Sequence, residues 1–151
     1  MDGGLSLSLC CRLVGSNSSV QIHVIRFRKV EEWGVVVVQG YSKLLIVWTT
    51  GDRDVALNMV FMYAINSKLQ GWWNDVVLLI WGSSSRLSAQ DKEIQERIMS
   101  AQKEGVRVIA CRRCAENLHV VEELERLGIE VFYTGQFLTD WLKSGERILT
   151  I

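Results

Sequence analysis

Four short apolar runs, separated by stretches with helical spacing, constrain the fold more than anything else in this chain. They are Leu44–Trp48, Val76–Trp81, Val106–Ala110 and Ile129–Tyr133. None alternates cleanly with polar residues, so each reads as a strand covered on both faces. Between them lie segments of helical periodicity. Asp54 is expected to cap a helix running to about Leu69, and Ser88 and Asp91 to form a capping box for a helix carrying Ile94, Ile98 and Ala101. A third helix, Ala115–Leu127, turns Leu118, Val121, Leu124 and Leu127 inward and Glu116, Glu122 and Glu125 outward, with Gly128 at its end. Gln136–Lys143 reads as a short helix and Arg147–Ile151 as a last strand. Strict alternation of this kind predicts an α/β fold: three α/β/α layers around a mostly parallel sheet of about five strands.

The pattern begins at Lys43. Residues 1–42 read as an N-terminal extension, irregular or with added strands at Val20–Phe27 and Val35–Val38. An added hairpin, an interface arm and sequence read from a start upstream of the true one all fit it. Residues 43–151 form the regular domain. The helix before Leu69 is apolar nearly all round (Val55, Leu57, Met59, Val60, Phe61, Met62, Ile65), which predicts cover on both sides and a subunit contact.

The chemistry gathers at Cys111-Arg112-Arg113-Cys114, where the third strand gives way to a helix. In parallel sheets, reactive groups lie beyond the carboxyl ends of the strands. A thiol there meets the amide end of a helix, and the neighbouring arginines add positive charge. Both favour the thiolate. Four readings compete. Both cysteines could be small buried hydrophobes. They could hold zinc, but Cys10, Cys11, His23 and His119 do not supply the missing ligands at a suitable spacing, so no metal is expected. They could form a redox dithiol. Or Cys111 could act as a single nucleophile toward a persulfide. His119 is expected on a helix surface rather than as a base for Cys111.

Composition narrows the field further. The chain has 151 residues, 17 basic and 17 acidic, and no net charge. No basic cluster interleaves the six tryptophans, so they read as core or contact residues and no nucleic-acid partner is expected. With four cysteines in two close pairs, a disulfide framework is not expected, and a reducing cytoplasm is the compartment inferred. No apolar run approaches the roughly 20 residues of a membrane span. Asp2 before Leu5–Cys11 and Arg12 after it argue against a signal peptide. No P-loop, dinucleotide fingerprint or serine elbow is present.

Several segments together resemble one family. They are Val108-Ile109-Ala110-Cys111-Arg112-Arg113-Cys114-Ala115, Leu127-Gly128-Ile129-Glu130-Val131, Leu138-Thr139-Asp140-Trp141-Leu142 and the closing Arg147-Ile148-Leu149-Thr150-Ile151. With Lys43-Leu44-Leu45-Ile46-Val47 and Thr50-Gly51, they resemble the DsrE/DsrF-like proteins, which include TusD-type subunits of sulfur-relay complexes. The resemblance covers 43–151. It implies a domain often assembled as a trimer or hexamer, sulfur-donor and sulfur-acceptor proteins as partners, and no cofactor. Cys111 stands where the family's sulfur carriers hold persulfide sulfur. Cys114 matches a second cysteine found in many members but absent from the TusD type, and would resolve the persulfide as an internal disulfide. Arg112 and Arg113 would stabilise the thiolate or meet an acidic partner. His119 stands where many members carry glycine. The expected function is a sulfur carrier working through Cys111. The alternatives are a non-catalytic oligomeric assembly module and a Cys111–Cys114 redox switch.

Overall fold

The structure, a computed structural model, describes residues 43–151. The expected strands before Ser42, Trp33, and the Cys10–Cys11 pair lie outside the described residues. Five parallel strands form one sheet: β1 (Lys43–Trp48), β2 (Asp75–Ile80), β3 (Arg107–Cys111), β4 (Glu130–Phe132) and β5 (Arg147–Thr150). Their order is β4-β3-β2-β1-β5.

Side-chain alternation divides the core in two. Leu44, Ile46, Trp48, Val76, Leu78, Ile80, Val108 and Ala110 face one layer of helices. Leu45, Val47, Val77, Leu79 and Ile109 face the other layer, with Phe137, Leu138 and Trp141 of helix α7 (Gly135–Ser144). This is why β1, β2 and β3 read as unbroken apolar sequence: both of their faces are buried. Ile46, Leu78 and Ile109 are fully buried, and truncating such a residue to alanine costs about 2–5 kcal/mol.

The topology explains the uneven layers. The chain steps from β1 to β4 in one direction, and every crossover of that run packs on one face. It must then return past three strands to place β5 beside β1. A right-handed crossover in the reverse direction lies on the opposite face, so α7 alone covers that side.

Asp52, not Asp54, caps the first helix. Its carboxylate accepts the Val55 N–H at 3.0 Å, while Asp54 sits in the first turn. A short α1 (Arg53–Val55) runs into a π-helical segment, Ala56–Phe61, and then α2 (Met62–Leu69). The i→i+5 bonding of that segment widens the turn, and adjacent Val60 and Phe61 are both buried. The inner side of this helix packs on the sheet. Its outer side leaves Met59, Met62 and Leu69 exposed, so within the described chain it is covered on one side only.

The expected Ser88–Asp91 capping box does not form. Ser88 is buried inside α3 (Ser84–Gln90), and its hydroxyl has no hydrogen-bond partner among the described residues. Asp91 itself caps α4 (Lys92–Lys103), accepting the Ile94 N–H at 3.1 Å. Arg53 reaches across to Asp91 at 2.9 Å and also pairs with Glu93, tying the first helix to α4.

The expected single helix Ala115–Leu127 is two helices. α5 (Arg112–Leu118) starts three residues earlier, and α6 (Val121–Arg126) follows after a break at His119. His119 has φ 56°, in the left-handed region. Its N–H bonds Glu116 O and the Val120 N–H bonds Ala115 O, at 3.1 and 3.0 Å. The same paired closure ends α6, where Gly128 (φ 73°) bonds Glu125 O and Ile129 bonds Leu124 O. Side-chain periodicity runs unbroken through residue 119, so it conceals the first of these two stops.

Candidate functional site

Cys111 is the last residue of β3 and the N-cap of α5. Its register places it beside Phe132 of β4, and Ile80 pairs with Ala110 on the β2 side. Trp81 and Gly82 therefore leave the sheet next to Cys111 on one flank, and Tyr133 and Thr134 on the other. All lie at the carboxyl ends of their strands, as the parallel architecture requires. The reversal of strand order, however, falls between β1 and β5, two strands away.

The two sulfurs differ. Cys111 is the inner one, with 7% of its surface exposed, and Cys114 is half-buried; both are free thiols. Burial is the largest influence on Cys111 and pushes its thiol up. It is outweighed by the Cys114 N–H, the Cys114 thiol, the Thr134 hydroxyl and the Arg113 N–H, each of which lowers it, and the net shift is below the ordinary thiol value. The two N–H groups belong to the second and third residues of α5. The Cys111 side chain makes no cap hydrogen bond to them, but its place at the N-terminal end of a helix favours negative charge on sulfur.

Cys114 is shifted the other way. Burial raises it most, and the neighbouring Cys111 sulfur raises it further. The Gly82 N–H and the Trp81 side chain act against this without cancelling it. The two sulfurs are thus shifted in opposite directions, the inner one below the ordinary thiol value and the outer one above it.

Arg112 and Arg113 are engaged elsewhere. Arg112 Nε donates to Glu116 Oε1 at 3.1 Å, and Arg113 Nη1 lies 3.5 Å from Glu116 Oε2. The Arg113 guanidinium also sits over the Tyr133 ring, 5.8 Å from its centre, while the Tyr133 hydroxyl donates to Glu116 at 3.0 Å. Glu116 therefore gathers both cations and the tyrosine into one half-exposed cluster beside the cysteines. The part of Arg113 that lowers the Cys111 thiol is its backbone N–H.

Three residues of the site were not singled out from sequence for it: Thr134, Trp81 and Gly82. Each lies within two residues of the end of a strand adjacent to β3, and strand register is the signal that could have found them. His119 is exposed at the end of α5. Among the described residues, no cluster of three or more His, Cys, Asp or Glu is arranged to hold a metal ion. No helix among them is long and apolar enough to cross a membrane.

Known proteins share this arrangement of strands and helices. A conserved protein of unknown function from Bacteroides thetaiotaomicron, BT1422, is 44% identical, with a TM-score of 0.71 over 73% of this chain and 95% of that one. The ychN protein of E. coli has the same fold at 16% identity, with a TM-score of 0.56 over 74% of this chain and 100% of that one. No curated protein matches the chain. The sequence model of the DsrE/DsrF-like family matches residues 43–151, the whole of the described α/β domain, and with the BT1422 likeness over the same fold it makes this chain a member of the DsrE/DsrF-like family.

Proposed function

We propose that this protein is a sulfur carrier that accepts and relays persulfide sulfur on Cys111. The observation that carries the reading is the place of one buried thiol, at the carboxyl end of β3 and the N-cap of α5, where the N–H groups of Arg113 and Cys114, the Thr134 hydroxyl and the Cys114 thiol together lower it below the ordinary thiol value. The same set suits a perthiolate, which also bears negative charge.

The chemistry is a pair of sulfur exchanges. The Cys111 thiolate attacks the outer sulfur of a donor persulfide, a new S–S bond forms, and the donor leaves as a thiolate. An acceptor thiolate then attacks the outer sulfur now on Cys111 and regenerates the Cys111 thiolate. Neither exchange needs a bound cofactor. Arg112, Arg113 and Tyr133 stand beside the site, and in this reading the two arginines meet acidic groups on the donor or acceptor protein. The exposed Met59, Met62 and Leu69 support a homo-oligomer, as a trimer or hexamer, with this side of the first helix buried between subunits. Light scattering on the purified chain tests that.

The decisive experiment is to treat the reduced protein with glutathione persulfide and follow it by intact mass and peptide mapping. The expected product carries one added sulfur atom on Cys111. Equal labelling of a Cys111→Ser variant rejects the assignment. A second reading, a dithiol switch, draws on the mutual influence of the two free thiols, each of which shifts the other. It requires a Cys111–Cys114 disulfide that forms and reverses across a glutathione titration, and a pair that stays reduced throughout rejects it.

A further inference from the structure

One carboxylate answers two arginines beside Cys111. Glu116 Oε1 accepts the Arg112 Nε–H at 3.1 Å and the Tyr133 hydroxyl at 3.0 Å. Its other oxygen, Oε2, lies 3.5 Å from Arg113 Nη1. The Arg113 guanidinium also rests on the Tyr133 ring, 5.8 Å from its centre. Tyr133 directly follows Phe132, the residue that pairs with Cys111 between β3 and β4. Glu116 is therefore held both from α5, one turn away, and from the end of β4.

At Arg107 the ratio is one to one. Its Nε and Nη2 donate to the two oxygens of Glu130 at 2.8 and 2.6 Å. Glu116 stands alone between two such cations. Both follow Cys111 directly in the chain, and a guanidinium is a permanently charged partner for a thiolate. Left unpaired, either side chain could fold back on the Cys111 sulfur. An opposite charge that close would hold the thiolate and make it less basic. A less basic thiolate is a poorer nucleophile, and a carrier must both take sulfur and give it up.

We propose that Glu116 is a positioning residue that withholds the Arg112 and Arg113 guanidiniums from Cys111 and so keeps its sulfur a competent nucleophile. Tyr133 steadies Glu116 from the far side of the site. Neither guanidinium is among the leading influences on the Cys111 thiol, which take from Arg113 only its backbone N–H. The benefit to sulfur relay rests on the persulfide reading of Cys111. The withheld charge does not, and it is measured on the free thiol. The titratable and charged groups brought to Cys111 are few. α5 supplies Arg112, Arg113, Cys114 and Glu116, and the end of β4 supplies Tyr133. The turn after β2, residues 81–83, brings none.

The test is the pH profile of Cys111 alkylation by iodoacetamide, resolved by peptide, in Glu116→Gln. Glutamine keeps the shape and removes the charge. With the arginines released, the midpoint should move to the acid side, and the plateau rate at high pH should fall about two- to threefold. Unfolding would move the midpoint the other way, toward an ordinary thiol. Tyr133→Phe keeps the ring under Arg113 and removes the hydroxyl, and should shift both quantities in the same direction by less. Adding Arg112→Ala and Arg113→Ala to Glu116→Gln should restore the wild-type profile. An unchanged profile in Glu116→Gln overturns the proposal. So does an acid shift that survives the loss of both arginines, because Glu116 would then act through its own charge. Loading with glutathione persulfide separates the two readings: an arginine-dependent acid shift in a protein that never loads rejects the carrier and upholds the positioning role.

Discussion

Thr134 stands buried at the N-cap of α7, and its hydroxyl is among the groups that lower the Cys111 thiol. Its backbone is already helical (φ −81°, ψ −1°), and its side chain makes no cap bond. A threonine in this position ordinarily contributes about 1 kcal/mol by capping. Here the residue is buried and its hydroxyl lowers the Cys111 thiol instead, a contribution to the chemistry of β3 rather than to the stability of α7. Thr134→Val keeps the shape and removes the donor. Alkylation of Cys111 by iodoacetamide at pH 7 should slow roughly three- to tenfold, and Thr134→Ser should restore it. Wild-type reactivity in the valine variant would show that the hydroxyl does not act on the thiolate.

The two cysteines should ionise in a fixed order. Cys111 is shifted below the ordinary thiol value because its N–H, thiol and hydroxyl donors outweigh burial, and Cys114 above it because burial and the Cys111 sulfur add together. As pH rises, alkylation of Cys111 should therefore begin first, with its midpoint on the acid side of a free thiol, and Cys114 should follow on the alkaline side. The coupling has a sign that can be checked. Cys111→Ser removes the neighbouring negative charge, so the Cys114 midpoint should move down. Peptide-resolved labelling across pH measures both, and a Cys114 midpoint that stays put in the serine variant contradicts the coupling.

The arginines give a sharper distinction. Arg112 and Arg113 flank the thiol in sequence, but their guanidinium groups are paired with Glu116, and Arg113 also covers Tyr133. Arg113 serves the sulfur through its backbone N–H, which alanine keeps. Arg112→Ala and Arg113→Ala should therefore leave Cys111 alkylation within about twofold of wild type, as expected for exposed charges already paired. If either slows it by an order of magnitude, the side-chain charge acts on the thiolate directly. If they act on a partner instead, sulfur transfer to the acceptor protein should weaken and become less sensitive to salt while small-molecule alkylation stays the same.

The three central strands were legible because each is buried on two faces, and Leu44–Trp48 or Val106–Ala110 has no other economical reading. The position of Cys111 followed from the same fact, since the end of a strand is where apolar sequence stops. The helix starts were less legible. Asp52 and Asp54 are both acidic and lie two residues apart, and only the backbone conformation at Asp52 (φ −76°, ψ 122°) decides which one caps. The remaining partners of the site were hidden for a different reason. Thr134 and Gly82 meet the cysteines through strands paired side by side, and such neighbours are far apart in sequence. No local pattern marks a threonine that forgoes its own helix.

His119 offers a test of the backbone itself. It holds the left-handed closing position of α5, where glycine is the usual residue, and it is exposed. A side chain with a Cβ is strained there, while glycine is not. Glycine also costs more entropy on folding, which offsets part of the gain. His119→Gly should therefore raise stability modestly, by about 0.5–1 kcal/mol, read as a higher urea midpoint with an unchanged slope. The paired bonds of His119 to Glu116 and Val120 to Ala115 do not depend on the imidazole, so Cys111 reactivity should be unchanged. A loss of stability would mean that the imidazole makes contacts worth more than the strain it imposes.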